Sequence, residues 1–162
     1  MDVWGRVDDR EVLGGLQRLI ALGRNAQPAL KVIAELGVLS TRRRFKTETG
    51  PDGKRWKPSL RAQLSGGLTL RKDGHLDGSI SAGAGTDFAE WGVGMKYAAI
   101  HQFGGVIRAK GGALKFALPG GGFAVVKAVT MPARPYLGVN DDDRRDILDV
   151  FERHIAGVSR AG

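Results

Sequence analysis

The chain has 162 residues, of which 42% are hydrophobic, so its composition suits one folded domain and excludes global disorder. It contains no cysteine, which excludes disulfides, a thiolate nucleophile and cysteine-ligated zinc. The sequence shows no secretory signal and no run of about 18 apolar residues. We therefore expect synthesis in the cytoplasm and no membrane contact.

The net charge of +8 is concentrated in one segment of the chain. Residues 42–72 contain ten basic and two acidic side chains, whereas the remainder contains fifteen of each sign. A local basic segment indicates an acidic partner, either nucleic acid or an electronegative protein surface. A solvated arm without a partner is the alternative interpretation.

Residues 1–49 predict two N-terminal helices. The first follows a capping aspartate, and the second begins near Pro28, a residue that is favourable in a first helical turn. Apolar positions recur at helical intervals in both. These positions are Val12, Leu16, Leu19 and Gly23 in the first helix, and Leu30, Ile33, Leu36 or Gly37, and Phe45 in the second.

Residues 50–72 predict a long mobile basic loop, because glycine, proline, serine and lysine predominate without clear periodicity. Trp56 is the one aromatic residue in this segment. We expect Trp56 to anchor the loop on a partner, and packing against the domain itself is the alternative.

Residues 73–139 predict a β-rich body. Short apolar runs separated by glycine predict two strands, and two further runs around the PGGG sequence predict a hairpin. The stretch MPARPYLGV predicts a rigid extended connector, since Pro132 and Pro135 lack an amide donor. The predicted strands span 78–83, 87–93, 113–118 and 123–129.

Residues 140–158 predict a C-terminal helix, capped by Asn140 or Asp141 and carrying an apolar stripe at helical spacing. The element order predicts one α+β domain over 1–162. In that fold an antiparallel sheet carries the N-terminal helices and the C-terminal helix on one face.

Known catalytic patterns are missing from the sequence. The histidines His75, His101 and His154 lack metal-ligand spacing, and neither a nucleophile elbow nor a phosphate-binding glycine loop is present. We therefore predict no catalytic residue, no metal site, no cofactor and no enzymatic activity.

The stretch YAAIHQFGG, residues 97–105, predicts a short helix that ends at Gly104 and Gly105. Tyr97, Ile100 and Phe103 share one face at helical spacing. His101 and Gln102 are then expected to point elsewhere, toward solvent or a partner chain.

Four sequence blocks occur in the order found in the phage virion morphogenesis family, which the chain resembles. They are RRRFKTETGPDGKRWKPS (42–59), GHLDGSI (74–80), YAAIHQFGG (97–105) and MPARPYLGV (131–139). The family typically has a phenylalanine before PDG-x-x-W, and Phe45 and Trp56 match those positions. It also has TG-x-L-x-x-SI, where Asp73 replaces the usual threonine and leaves only the local turn chemistry open.

The resemblance implies a non-enzymatic structural protein at the head–tail junction of a tailed phage virion, made in the host cytoplasm. It implies a neck or tail-completion ring subunit that joins tail to head. Its expected partners are further copies of itself in a six-fold ring, neighbouring neck and tail proteins, and packaged DNA. A tail terminator or a capsid-assembly factor is the alternative. A basic DNA-binding protein acting through residues 42–72 is an alternative of another class.

Basic, polar and aromatic residues in three of the four blocks are the candidate interface positions. Arg134, held between two prolines, is expected either to form an intersubunit ion pair or to bind a carbonyl of its own chain. The candidates are Arg42, Arg43, Arg44, Lys54, Arg55, Trp56, Lys57, His101, Gln102, Arg134 and Tyr136.

Overall fold

A computed structural model of the protein describes residues 3–6, 10, 12–15, 26–118 and 120–160. The predicted α+β class is confirmed, with helices and small antiparallel sheets. In chain order the elements are β1 (Val3–Arg6), α1 (Gln27–Thr47), α2 (Leu60–Ser65), α3 (His75–Gly78), β2 (Ile80–Ala84), β3 (Ala89–Val93), α4 (Ala98–Phe103), β4 (Gly105–Arg108), β5 (Leu114–Ala117), β6 (Phe123–Val126), β7 (Ala128–Met131) and α5 (Asp141–Arg160).

Helix α1 is the central support of the fold. Pro28 lies in its first turn as predicted, and Leu30, Ile33 and Phe45 lie on its buried face. Gly37, rather than Leu36, occupies the buried position between them. A side chain at residue 37 would overlap the Trp91 ring, so glycine allows close contact between α1 and the sheet.

The main sheet has the strand order β1–β3–β2 and is antiparallel throughout. The two strands predicted at 78–83 and 87–93 are confirmed with small shifts, and their register pairs Ile80 with Val93. Strand β1 corrects the prediction that residues 1–49 contain only helices. Its four residues are held by pairing with β3, a contact distant in sequence.

The remaining strands form two separate two-stranded ribbons instead of joining the main sheet. Strands β5 and β6 are the hairpin predicted around PGGG. Strand β7 follows β6 after Lys127 and pairs with β4. The single predicted sheet is therefore divided into three.

The long mobile basic loop predicted for residues 50–72 is not found. A bridge joins Thr49 to Arg55, and helix α2 begins at the N-cap Ser59, whose hydroxyl accepts a bond from the Ala62 amide. The Thr69 amide donates to the Glu48 carboxylate at 2.6 Å. Side-chain caps and bonds distant in sequence therefore order a segment whose composition favours a loop.

Two apolar clusters form the core. One joins α1 to the sheet, α4 and residues 136–137, and the other joins α1 to α5 through Leu30, Ile33, Ile147 and Phe151. The predicted C-terminal helix is confirmed. Its cap is Asn140, whose side chain accepts from the Asp143 amide at 2.8 Å.

The first predicted helix lies largely outside the described residues. Residues 12–15 are helical, and Val12 is buried in the α1–α5 cluster. The predictions for Leu16, Leu19 and Gly23 fall outside the described part of the chain.

Candidate functional site

The extended connector, defined as residues 132–138, is bound by residues of two other sequence blocks, 42–59 and 97–105. It has no helix or strand, as predicted, so its backbone groups must be satisfied by other parts of the chain. Side chains from α1, α4 and the turn before α2 supply those bonds.

Gln102 on α4 holds the middle of the connector. Its Oε1 accepts bonds from the amides of Tyr136 at 2.9 Å and Leu137 at 3.0 Å. Its Nε2 donates to the Leu137 carbonyl at 3.1 Å. The expectation that Gln102 points to solvent or to a partner chain is wrong, because this side chain is buried against its own connector.

Gly104 lets α4 approach the connector. This residue ends the helix with a φ of 70°, as the sequence predicted. A Cβ there would lie 2.7 Å from the Ala133 amide nitrogen and 2.9 Å from the Met131 carbonyl oxygen. Positive φ and lack of space both require glycine, which lets the Arg134 amide bind the His101 carbonyl at 2.7 Å.

Arg44 on α1 joins the connector to helix α5. Its guanidinium donates to the carbonyls of Tyr136 at 3.0 Å and Gly138 at 2.8 Å, and it forms an ion pair with Asp143. Burial lowers the pKa of Arg44, whereas the Asp143 carboxylate opposes that shift. Asp143 also accepts the Asn140 amide, so one carboxylate caps α5 and neutralises a buried cation.

Three aromatic rings enclose the other side of the connector. Phe45 contacts Trp56 edge-on at 5.5 Å between ring centroids and Tyr136 at 5.1 Å. The Trp56 indole donates to the Pro135 carbonyl at 2.8 Å, and the Tyr136 hydroxyl donates to the Ala98 carbonyl at 2.9 Å. Burial raises the pKa of Tyr136, so this hydroxyl remains a proton donor.

Arg134 binds carbonyls of its own chain, the second of its two predicted roles. Its Nε donates to the Lys57 carbonyl at 2.7 Å, and a second nitrogen lies 3.4 Å from the Pro58 carbonyl. These bonds attach the connector to the segment before α2. Burial lowers the pKa of Arg134.

Burial divides the candidate interface residues into two groups. Arg44, Trp56, Gln102, Arg134 and Tyr136 are buried within the chain, so their side chains support the fold. This corrects the expectation that Trp56 anchors a partner. The interface hypothesis is retained for the exposed members Arg42, Arg43, Lys54, Arg55 and Lys57, and for the half-buried His101.

An open groove of about 700 Å³ lies beside the connector, between α2 and the ribbon strands β5 and β7. Its lining includes the apolar residues Leu60, Leu70 and Phe116. The basic residues Lys57 and Lys72 also line it. Among the described residues, no group of three acidic or histidine side chains is arranged to hold a metal ion.

His101 lines this groove with its ring 5.9 Å from that of Tyr97. Its Nδ1 is buried without a hydrogen-bond partner among the described residues. Burial, followed by repulsion from Arg134, lowers the pKa of His101 from its ordinary value of 6.5. The folded chain therefore favours the neutral imidazole.

This lowered pKa predicts acid-sensitive stability. As pH falls below about 6.5, the unfolded chain binds a proton at residue 101 more readily than the folded chain, so the folded state loses stability. In His101→Gln, we expect the melting temperature to fall less than in wild type between about pH 7.5 and about pH 5. His75→Gln, which replaces an exposed histidine, is the control, and its melting temperature should fall with decreasing pH as much as that of the wild type. If the melting temperature of His101→Gln fell as much as that of the wild type, the acid sensitivity would belong to another group.

Comparison with known proteins tests the family resemblance that these blocks indicate. The model of the phage virion morphogenesis family matches residues 7–156. The chain belongs to this family. It is also 28% identical, over 169 aligned residues, to a protein of Escherichia phage Mu provisionally named capsid assembly protein G. That alignment covers 99% of this chain and 98% of the Mu protein. No solved structure matches the chain significantly.

Membership of this family gives the chain a role in phage virion assembly. None of the helices in the described residues has the length and apolar character required to cross a bilayer. The sequence blocks therefore carry two kinds of residue, internal supports of the connector and exposed basic positions. The blocks are recognisable in the sequence only through the family resemblance. No sequence pattern predicts that Arg44 and Gln102 bind the connector.

Proposed function

We propose that the protein is a non-enzymatic structural subunit at the head–tail junction of a tailed phage, where a ring of copies joins the tail to the head. The family match over residues 7–156 carries this proposal. The name of the Mu relative favours capsid assembly, the alternative role within the same class.

The arrangement around the connector supports a structural role. The polar side chains that meet there donate to or accept from backbone groups and one another, as in the bonds of Arg44, Gln102 and Arg134. They stabilise an irregular segment of the fold. A ring subunit needs such a rigid body together with exposed surfaces that contact its neighbours.

Particles formed without the protein test this assignment. The gene would be inactivated in the phage or prophage that encodes it, and the lysate would be examined by electron microscopy. We expect separate filled heads and complete tails, and expression of the wild-type chain should restore joined virions. Empty or aberrant heads would place the action in capsid assembly, and normal virions would contradict both roles.

Binding of packaged DNA through residues 42–72 is a second candidate function. Arg42, Arg43 and Lys46 are exposed at the end of α1, and Lys54 and Arg55 are exposed in the following turn. Phosphate contacts make binding strongly salt-dependent. We expect duplex DNA to bind at low salt, and Arg42→Glu/Arg43→Glu to weaken binding by about tenfold or more. No mobility shift at low salt would eliminate this function.

A further inference from the structure

The polypeptide between α4 and the connector forms a β-arm, defined as residues 105–131, with little core of its own. It consists of the ribbons β4–β7 and β5–β6, and none of its described residues is buried. Isolated two-stranded ribbons are only marginally stable in water. We therefore expect contacts outside its own strands to stabilise the β-arm.

One side of the β-arm presents unpaired apolar surface. The register of β5 and β6 places Lys115, Ala117, Phe123 and Val125 on the same face, defined as the tip face. Phe123 and Val125 are each 64% exposed, and the Lys115 ammonium lies 4.6 Å from the Phe123 ring centroid. Clustered apolar exposure of this kind is typical of an interaction surface.

The charge of the β-arm indicates what covers the tip face. Its sequence contains four basic residues and no acidic residue. The basic residues are Arg108, Lys110, Lys115 and Lys127. A complementary partner surface must therefore be acidic as well as tolerant of apolar contact.

Helix α5 provides acidic side chains on the same chain. Residues 141–153 contain six acidic and three basic side chains, and one of the acidic side chains, Asp143, pairs with Arg44 inside the fold. Asp142, Asp146 and Asp149 recur at helical spacing on the exposed side. Asp142 pairs with Arg145 and Asp149 with Arg153, whereas Asp146 has no ion pair within the described residues. The 20-residue helix is about 30 Å long, so it can accommodate the two paired four-residue strands of the tip face, which extend about 13 Å.

We propose that the tip face of one copy docks on the exposed acidic side of α5 in a second copy. The two surfaces differ, so each copy can contact one neighbour through its β-arm and another through its α5. Such a head-to-tail contact generates a closed ring when the rotation between copies permits it. This inference rests on the proposed function, which it deepens by naming the contact between ring subunits.

Cross-linking of engineered cysteines tests the contact, because the natural chain contains no cysteine. One full-length protein carries Val125→Cys and a second carries Asp149→Cys, which leaves the Asp146 carboxylate in place, and the mixture is treated with a short bismaleimide. Only contact between copies can produce the mixed dimer. Leu64→Cys replaces Val125→Cys in the control, because Leu64 is 62% exposed but lies on α2.

We expect the mixed dimer from the Val125–Asp149 pair in the purified protein or in assembled particles, and much less from the Leu64 control. In the copy that carries Val125→Cys, Lys115→Glu should reduce the yield of mixed dimer about tenfold, because the introduced carboxylate and Asp146 repel each other. Asp146→Lys in the copy that carries Asp149→Cys should restore the yield. Equal yields from control and test pairs would overturn the contact, as would absence of the dimer from both the purified protein and particles.

The two proposals fail in different ways. If joined virions require the chain but the cross-link never forms, the head–tail function stands and the docking contact is wrong. If the cross-link forms but virions are normal without the chain, the contact stands and the proposed function is wrong.

Discussion

Replacement of Arg44 by methionine is expected to lower the free energy of unfolding by about 3–5 kcal/mol, the effect of breaking a buried ion pair. Methionine occupies similar space but cannot donate to the carbonyls of Tyr136 and Gly138. It also leaves the Asp143 carboxylate, whose side chain is only 14% exposed, without its cation. Urea denaturation of the purified protein measures the change.

Arg43→Met is the matched control for this prediction, because Arg43 is the exposed neighbour of Arg44 on the same helix. We expect it to change the free energy of unfolding by no more than about 0.5 kcal/mol. Similar losses in both variants would mean that the buried bonds of Arg44 contribute little. Comparison of Arg44→Met with Arg43→Met also separates loss of stability from loss of binding, since Arg43 remains a candidate contact for DNA or a neighbouring protein.

Replacement of Gln102 by leucine is expected to destabilise the fold by about 3 kcal/mol. Leucine fills a similar volume, but it leaves two amides and one carbonyl of the connector without their partner. An unsatisfied buried polar group costs about 1–3 kcal/mol, and local rearrangement can recover part of the summed loss. Thermal and urea unfolding, followed by circular dichroism, measure the effect.

Gln63→Leu on α2 serves as the comparison, because Gln63 is exposed and makes one 3.3 Å bond to the Pro58 carbonyl. Its expected effect is within about 0.5 kcal/mol of zero. A Gln102→Leu protein as stable as wild type would show that the connector keeps its path without this side chain. In that event the meeting of the YAAIHQFGG and MPARPYLGV blocks would need another explanation.

These two predictions give a physical reason why such residues occur in the sequence blocks that carry the family resemblance. Arg44, Trp56, Gln102 and Tyr136 come from three blocks separated along the chain, yet they bind one another or one extended segment. A motif of this kind maintains a backbone path that no regular hydrogen-bond ladder supports. Loss of assembly in variants at these positions would therefore reflect unfolding.

Local patterns in the sequence determined the elements whose causes are themselves local. The apolar positions at helical intervals and Pro28 predicted α1, and Asn140 and the following acidic residues predicted α5. The PGGG sequence predicted the β5–β6 hairpin. The net charge and the lack of cysteine are likewise known from the sequence alone. The composition of residues 50–72 misled, because local composition does not reveal a side-chain cap or the bond from Thr69 to Glu48.

Tertiary structure alone decided which polar and aromatic residues are internal. Exposed Arg43 and buried Arg44 are adjacent and chemically identical, and only the helical phase of α1 and the position of Asp143 distinguish them. The inward direction of Gln102 depends on a connector more than 30 residues later in the chain. Contacts between distant residues depend on the complete fold, so the sequence could identify the blocks but not that they meet around one segment.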